Sequence, residues 1–246
     1  MVYQFWLNPP FLNRDDKIMA TRPVFIPKYD GSVLVDIQET HFQWHSGMSL
    51  SQKQKSIFSL HQSYLSKNPN GKILEISTKS TIDLGRDLSA FNLCFQNKKG
   101  LEIPVENIFQ SSKKFTHGGP FNDILYKTPR DAKRDERLKN SGNLIGFLYK
   151  EDFWDLEPKT AFYDWLYINI LNLKQEINSR LFEYTAFTDI EFNPKKSINC
   201  QAYSVALFLS LKKRKLIKPD EVINKESFLS IVKEYDYLNT SSGSLI

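Results

Sequence analysis

Pro104-Val105-Glu106-Asn107-Ile108-Phe109-Gln110-Ser111-Ser112-Lys113-Lys114-Phe115 is the stretch on which the reading of this chain turns. At 3.6 residues per turn, Val105, Ile108, Phe109, Ser112 and Phe115 fall on one side of a helix. Glu106, Gln110 and Lys113 form a polar stripe along the flank of that apolar face. Pro104 suits the first turn, where its missing N–H leaves no bond unmade. The spacing predicts a helix from Val105 to Lys114 or Phe115, ending before Gly118-Gly119-Pro120. A carboxylate at such a border between core and solvent suits acid–base work, because partial burial disfavours its charged form. From the helix alone, Glu106 reads more simply as an ordinary first-turn charge on a solvated helix face.

Upstream, Val24–Ile26 and Val33–Ile37 flank Lys28-Tyr29-Asp30-Gly31-Ser32, and Asp-Gly between two β-branched runs predicts a hairpin. Ser49–Leu65 carries apolar residues at helical spacing, with Ser49 or Ser51 as cap. Ile73–Ser77 reads as a strand, Gly85 as a turn, Leu88–Phe95 as extended and Leu101–Ile103 as a short strand. Downstream, Thr128 caps a helix over Pro129–Lys139 with Pro129 at its first position. Thr160–Leu173 and Gln201–Lys215 are strong helices, Ile190–Pro194 is extended, and Pro219–Tyr237 holds the last helix. The expected fold is α+β, mainly helical: a single domain over 19–238 with a small antiparallel sheet near the N-terminus. Met19-Ala20-Thr21-Arg22-Pro23 reads like a fresh start, so 1–18 is expected to be an N-terminal extension and 239–246 a flexible polar tail.

The bulk numbers narrow the partners. The 246 residues carry 33 Lys and Arg against 28 Asp and Glu, a net charge of +5. That balance permits phosphate contact without requiring it. Aromatic residues make up 13 % of the chain, a supply that suits both a core and stacking on bases. Cys94 and Cys200 lack CxxC spacing and the four histidines lack an HExxH pattern, so neither a disulfide framework nor a metal site is expected, and a reduced, cytoplasmic setting is. Apolar runs are too short to span a membrane.

Around the opening stretch, Leu88-Ser89-Ala90-Phe91, Cys94-Phe95, Gly100, Pro104, Glu106, Phe109-Gln110 and Lys113 resemble, in order and spacing, the signature of the NADAR (YbiA-like) family. That signature runs roughly Leu-Ser-Asn-Phe, an apolar pair, a Gly turn, then Tyr-Pro-Ser-x-Glu-x-x-Phe-Gln-x-x-Lys. Thr128-Pro129-Arg130-Asp131-Ala132-Lys133, ending in Arg137, resembles the family's Pro-x-x-Ala-Lys-x-x-x-Arg helix. Ala90 stands where the family has Asn, and Glu136 where it has Gly. The family's late acidic residue before Trp-Gly has no evident match; the nearest segments are Thr188–Pro194 and Ser197–Gln201. The part before Leu88 is similar to the longer NADAR proteins found as antitoxins beside DarT-type DNA ADP-ribosyltransferase toxins.

The resemblance implies cleavage of an N-glycosidic bond at the ribose C1 of an ADP-ribosyl group, without metal or cofactor. For the DarT-associated branch it implies ADP-ribose on the guanine amino group of DNA as substrate, free ADP-ribose as product and a cognate DarT-type toxin as partner. The alternatives are an N-glycosidase on a free small-molecule riboside, and a non-catalytic binder of ADP-ribosylated DNA or of the toxin. Glu106 is the implied acid/base. Lys113 either holds a phosphate or attacks the opened sugar C1 as a Schiff-base amine. Gln110 would orient ribose hydroxyls, with Ser89 and Phe91 also at the substrate. Lys133 and Arg137, four apart on one helical face, would grip a pyrophosphate or form a solvated basic face. Gly118 and Gly119 would let backbone approach a phosphate or make a cap turn. Trp154 is a stacking platform or a core residue. Asp189 and Glu191 would face opposite sides of a strand, with Asp189 toward the pocket, and Asn199 is a further polar contact. Ser51–Ser56 is a DNA-phosphate contact or a soluble helix start.

Overall fold

In the computed structural model, which describes residues 18–235, the N-terminal hairpin is built as its alternation predicts. Strands β1 (Met19–Pro27) and β2 (Val35–Gln43) pair antiparallel in continuous register from Met19 opposite Gln43 to Pro27 opposite Val35. Alternate side chains take opposite faces. Val24 and Phe42 meet Ile57, Leu60 and Tyr64 of helix α1 (Leu50–Lys67), which Ser49 caps through the Gln52 N–H. Phe25, Leu34 and Val35 join the larger core on the other side. The turn is held from afar: the Arg214 guanidinium donates to the carbonyls of Lys28, Gly31 and Val33 at 2.9, 2.8 and 2.6 Å.

Two later strands complete this sheet, in the order β2-β1-β9-β3. Strand β3 (Ile73–Glu75) runs parallel to β9 (Ala186–Thr188), which is antiparallel to β1 through Phe25 opposite Phe187. The expected hairpin is therefore one edge of a mixed sheet. Behind it lie α6 (Ala161–Asn172) and α8 (Gln201–Lys213). Every residue of α6 is buried, as in a helix surrounded by protein. Its polar side chains find partners: Asp164 accepts from the Ser204 hydroxyl at 2.5 Å, and Asn172 donates to the carbonyls of Lys218 and Glu221 at 2.8 Å each. Helices α7 (Gln175–Leu181) and α9 (Lys225–Glu234) flank this layer.

Between β3 and α6 the chain builds the face that matters for function. A short α2 (Asp83–Asp87) precedes the hairpin of β4 (Cys94–Gln96) and β5 (Glu102–Pro104). Then come α3 (Val105–Ser111), strand β6 (Lys113–Phe115), a 3-10 turn over Asn122–Tyr126, α4 (Pro129–Arg134) and α5 (Arg137–Asn140). Strands β7 (Leu144–Tyr149) and β8 (Asp152–Trp154) complete a meander with β6. The fold is α+β and mainly helical, a single domain with its antiparallel hairpin near the N-terminus. Among the described residues no helix is long and apolar enough to cross a membrane. The expected extension over 1–18 falls, but for Ile18, outside the described residues, as does the tail over 239–246.

Several local expectations are corrected. The helix from Val105 stops at Ser111, because Lys113 pairs with Phe147 and Lys114 with Gly146 across β6 and β7. Gly119 takes φ +70°, and a Cβ there would stand 2.2 Å from the Lys113 carbonyl oxygen, so this turn needs glycine. The helix expected over Pro129–Lys139 breaks at Asp135, whose ψ of 124° is extended. Leu88–Phe95 is mostly turn, and only Cys94 and Phe95 of it reach a strand. The chain over 190–194 is also turn, because the Asp189 carboxylate accepts from the N–H groups of Glu191 and Phe192 and bends it. Gly85 lies inside α2 rather than in a turn; a Cβ there would meet the Glu75 carbonyl oxygen at 2.0 Å. Gly85→Ala is expected to destabilise the fold by about 1–3 kcal/mol or more, read as a fall in melting temperature of about 2–4 °C per kcal/mol. An unchanged melt would mean that the backbone there has room to move.

Candidate active site

The parallel strands β3 and β9 end at one rim, and the cleft opens there, at the carboxyl ends of adjacent parallel strands. Its volume is about 950 Å³, at the upper end of small-molecule sites. Ser77–Lys79 after β3 and Asp189 after β9 form one wall; α3, the Ser89–Phe91 turn and α4 form the other. The Gln201 side chain at the start of α8 ties the walls together. Its Oε1 accepts from the Ala90 N–H at 2.7 Å, and its Nε2 donates to the Ile76 carbonyl at 2.6 Å.

Glu106 stands on the first turn of α3 with only 5 % of its surface exposed. This settles its placement against the solvated face: all seven residues of the short helix are buried, with Glu106 and Gln110 against the cleft. The Glu106 N–H is held by the Ala90 carbonyl at 2.9 Å, so α3 starts from the Leu88–Phe91 turn. Glu106 Oε1 accepts from Gln110 Nε2 at 2.9 Å, the i,i+4 spacing of one helical face. Lys133 Nζ approaches the same oxygen at 3.7 Å and lies over the Phe91 ring at 5.6 Å. Lys113 reaches the cleft from β6, not from the helix, and its Nζ sits 5.0 Å from the Phe109 ring centre. Burial lowers its ammonium pKa; Glu106 opposes and Lys133 adds to that shift. Ser89 Oγ and Gln110 Oε1 are buried without a hydrogen-bond partner among the described residues. Each such orphan costs about 1–3 kcal/mol unless something from the cleft meets it.

The opposite wall holds a second carboxylate, Asp189. Burial raises its pKa well above the ordinary aspartate range, and the nearby Glu75 carboxylate adds to the effect. Glu75 is also pushed up by burial, but three donors oppose the shift: the Ile190 N–H at 2.8 Å and the Ser77 and Thr188 hydroxyls at 2.6 and 2.7 Å. Of the pair, Asp189 is the one that holds a proton, because Glu75 has the donors to keep its charge. Thr188 gives its own proton to Glu75, so it accepts from His61 Nε2 at 2.8 Å. Burial drops the His61 pKa to about 4, leaving the ring neutral at ordinary pH.

Of the residues singled out by sequence, the cleft brings together Ser89, Phe91, Glu106, Gln110, Lys113, Lys133, Asp189 and Asn199. Four stand apart from its lining. Arg137 is engaged elsewhere: it donates to both oxygens of Asp123 at 3.1 and 2.6 Å and to Asp135 at 2.9 and 2.8 Å. The break at Asp135 takes it off the face that carries Lys133. Gly118 and Gly119 form the turn after β6, where the Gly119 carbonyl accepts from Lys114 Nζ at 2.6 Å. Trp154 is a core residue, 2 % exposed, with ring centres of Trp165 and Phe162 at 4.9 and 5.6 Å. Glu191 does reach the cleft together with Asp189, since the strand ends before both; it pairs with Lys53 at 3.0 Å. That pair engages Lys53, one of the two lysines of the Ser51–Ser56 start.

Sequence reasoning passed over Glu75, which acts on Asp189 from outside the lining, and in the lining Tyr163, Gln201 and the basic rim of Arg130 and Arg134. Arg130 and Arg134 stand one turn apart on α4, and with Lys133 they make that side of the mouth strongly positive. Their signal was present in the charged run after Thr128; the other three sit singly among apolar residues and carry no local pattern.

These features define a single-domain α+β protein with buried carboxylates on both walls of a cation-rimmed cleft. The family model described as DarT1-associated NADAR antitoxin matches residues 20–242, and the chain belongs to this family. No curated protein matches the chain.

Proposed function

We propose that this protein is a DNA ADP-ribosyl-guanine hydrolase that acts in the cytoplasm as antitoxin to a DarT-type toxin. It would cut the bond between the ribose C1 and the guanine amino nitrogen. Water adds to C1, the nitrogen keeps the bonding electrons and takes a proton, and the products are free ADP-ribose and restored guanine. The observation that carries the reading is the buried Glu106 beside two orphaned polar atoms, Ser89 Oγ and Gln110 Oε1, in a cleft with a cationic mouth.

The roles follow from placement. Glu106 exchanges the proton between water and leaving nitrogen, and its charge offsets the oxocarbenium character that builds at C1. Gln110 and Ser89 present unused polar atoms to the ribose hydroxyls. Lys133, with Arg130 and Arg134, faces the diphosphate. Protonated Asp189 supplies a hydrogen-bond donor opposite Glu106. Lys113, its ammonium disfavoured by burial, has more free amine than an exposed lysine and suits attack on an opened sugar C1: the guanine nitrogen then leaves with the bonding electrons and a proton, and water enters by hydrolysing the resulting C1=N bond, which returns the lysine amine and ADP-ribose. The guanine would leave the duplex or come from a single strand to reach the cleft.

The test is an oligonucleotide carrying ADP-ribosyl guanine. Release of ADP-ribose with intact guanine is expected, also with a chelator present. Cleavage of a free nucleotide N-riboside but not of the oligonucleotide would move the activity to small molecules. Tight binding of the oligonucleotide without release would make the protein a binder. Borohydride added during turnover is expected to trap a covalent adduct that Lys113→Arg lacks; no adduct in the unaltered protein would confine Lys113 to holding phosphate.

A further inference from the structure

Tyr163 on α6 lines the cleft, and its ring is fixed there. It meets Phe109 of α3 edge-on, with ring centres 5.2 Å apart at 88°, and lies 6.2 Å from Tyr167 one turn further along α6. The two tyrosines differ in what their hydroxyls do. Tyr167, fully buried, donates to the Leu88 carbonyl at 2.5 Å. Tyr163 is 6 % exposed, and its hydroxyl makes no hydrogen bond among the described residues. With Tyr163 in the cleft lining, a ligand oxygen there would give that hydroxyl the partner the protein does not supply.

The surroundings also keep that hydroxyl protonated. Burial raises its pKa well above that of a free phenol, and the Glu106 carboxylate, with Asp189 whenever it ionises, acts in the same direction. Tyr163 thus lies within electrostatic reach of both cleft carboxylates, each from a different wall. A neutral O–H that cannot titrate in the working range is a fixed donor, unlike the carboxyl groups beside it.

We propose that Tyr163 is a substrate-touching residue whose hydroxyl donates a hydrogen bond to an oxygen of the ribose that is cleaved, setting the sugar's orientation toward Glu106. This rests on the glycosidase reading above. It gives the sugar a third protein partner beside Gln110 and Ser89, carried on a ring that packs against Phe109 and Tyr167.

The experiment compares the full chain with Tyr163→Phe, which keeps the ring and its contacts with Phe109 and Tyr167. Turnover of the ADP-ribosylated oligonucleotide is expected to fall about 10- to 100-fold in kcat, with KM moving far less and the melting temperature unchanged. Calorimetric titration with ADP-ribose is expected to show affinity weaker by about 3- to 10-fold. If the unaltered protein releases nothing yet binds ADP-ribose more tightly than Tyr163→Phe, the glycosidase reading falls and the Tyr163 contact stands. Equal turnover and equal affinity in the two proteins would overturn the contact. So would a lowered melting temperature with unchanged affinity, which makes the hydroxyl structural, or a failure of both proteins to bind ADP-ribose.

Discussion

Glu106→Gln is expected to reduce release of ADP-ribose from the modified oligonucleotide by about 10²- to 10⁴-fold, the range for losing a positioned acid/base, while the chain stays folded. The substitution keeps size and shape. The new amide oxygen can still accept from Gln110 Nε2, so the buried first turn of α3 retains its hydrogen bond. What is lost is the proton-exchanging carboxyl and the 3.7 Å approach of Lys133. The Lys133 side chain is 60 % exposed, so that pair adds no more than about 1 kcal/mol. Turnover and stability should therefore separate: a rate measured under saturating substrate collapses while the thermal melt moves by a few degrees at most. If Glu106→Gln keeps turnover within twofold, the acid/base lies elsewhere and Asp189 becomes the residue to test.

Asp189→Asn is expected to do two opposite things: slow turnover by about 10²-fold or more, and raise the melting temperature at neutral pH. An Asn oxygen can accept the same N–H groups of Glu191 and Phe192 that now bend the chain after β9. It also removes a carboxyl that burial and Glu75 hold well above its ordinary pKa. The sign follows from linkage. A carboxyl whose folded pKa is raised binds its proton more tightly in the folded than in the unfolded chain. Its contribution to stability is complete below the unfolded value of about 4 and is lost as pH rises from there through the folded value. At neutral pH, above the unfolded value, the unaltered protein carries the loss accumulated to that point and the Asn variant carries none. Melting curves should therefore diverge above about pH 4 and converge below it, with about 2–4 °C for each kcal/mol relieved. A variant that melts lower than the unaltered protein at neutral pH would mean that Asp189 is paired as an anion.

The sequence made the hairpin, α1, α6 and α8 legible because each is specified locally, by alternation, by a cap or by a long apolar period. It made half of the site legible too, since Ser89, Phe91, Glu106, Gln110 and Lys133 sit in spaced motifs. Lys113 was placed in the cleft for the wrong geometric reason. Ser112 and Phe115 continue the helical period of α3, so nothing nearby announces that pairing with Phe147, more than thirty residues on, turns the chain into a strand. The grip expected of Arg137 failed likewise: four-residue spacing puts Lys133 and Arg137 on one face only if the helix is unbroken, and Asp135 breaks it to bind the arginine. Glu75, Gln201 and Tyr163 became visible only in three dimensions, because each works through a partner more than fifty residues away or through having none.

The strand order carries a consequence for how this protein comes into being. β9 lies between β1 and β3, so until residue 188 has been made both of those strands lack the neighbour that separates them. A ribosome needs roughly 8–30 s to travel from residue 27 to residue 188 at about 5–20 residues per second. For that time the nascent chain has two unfinished strand edges and no cleft, because Asp189 and the Gln201 tie come later still. Prematurely ended chains would keep those edges exposed to pairing with other chains. The cleft therefore arrives only in whole molecules, with a delay fixed by translation.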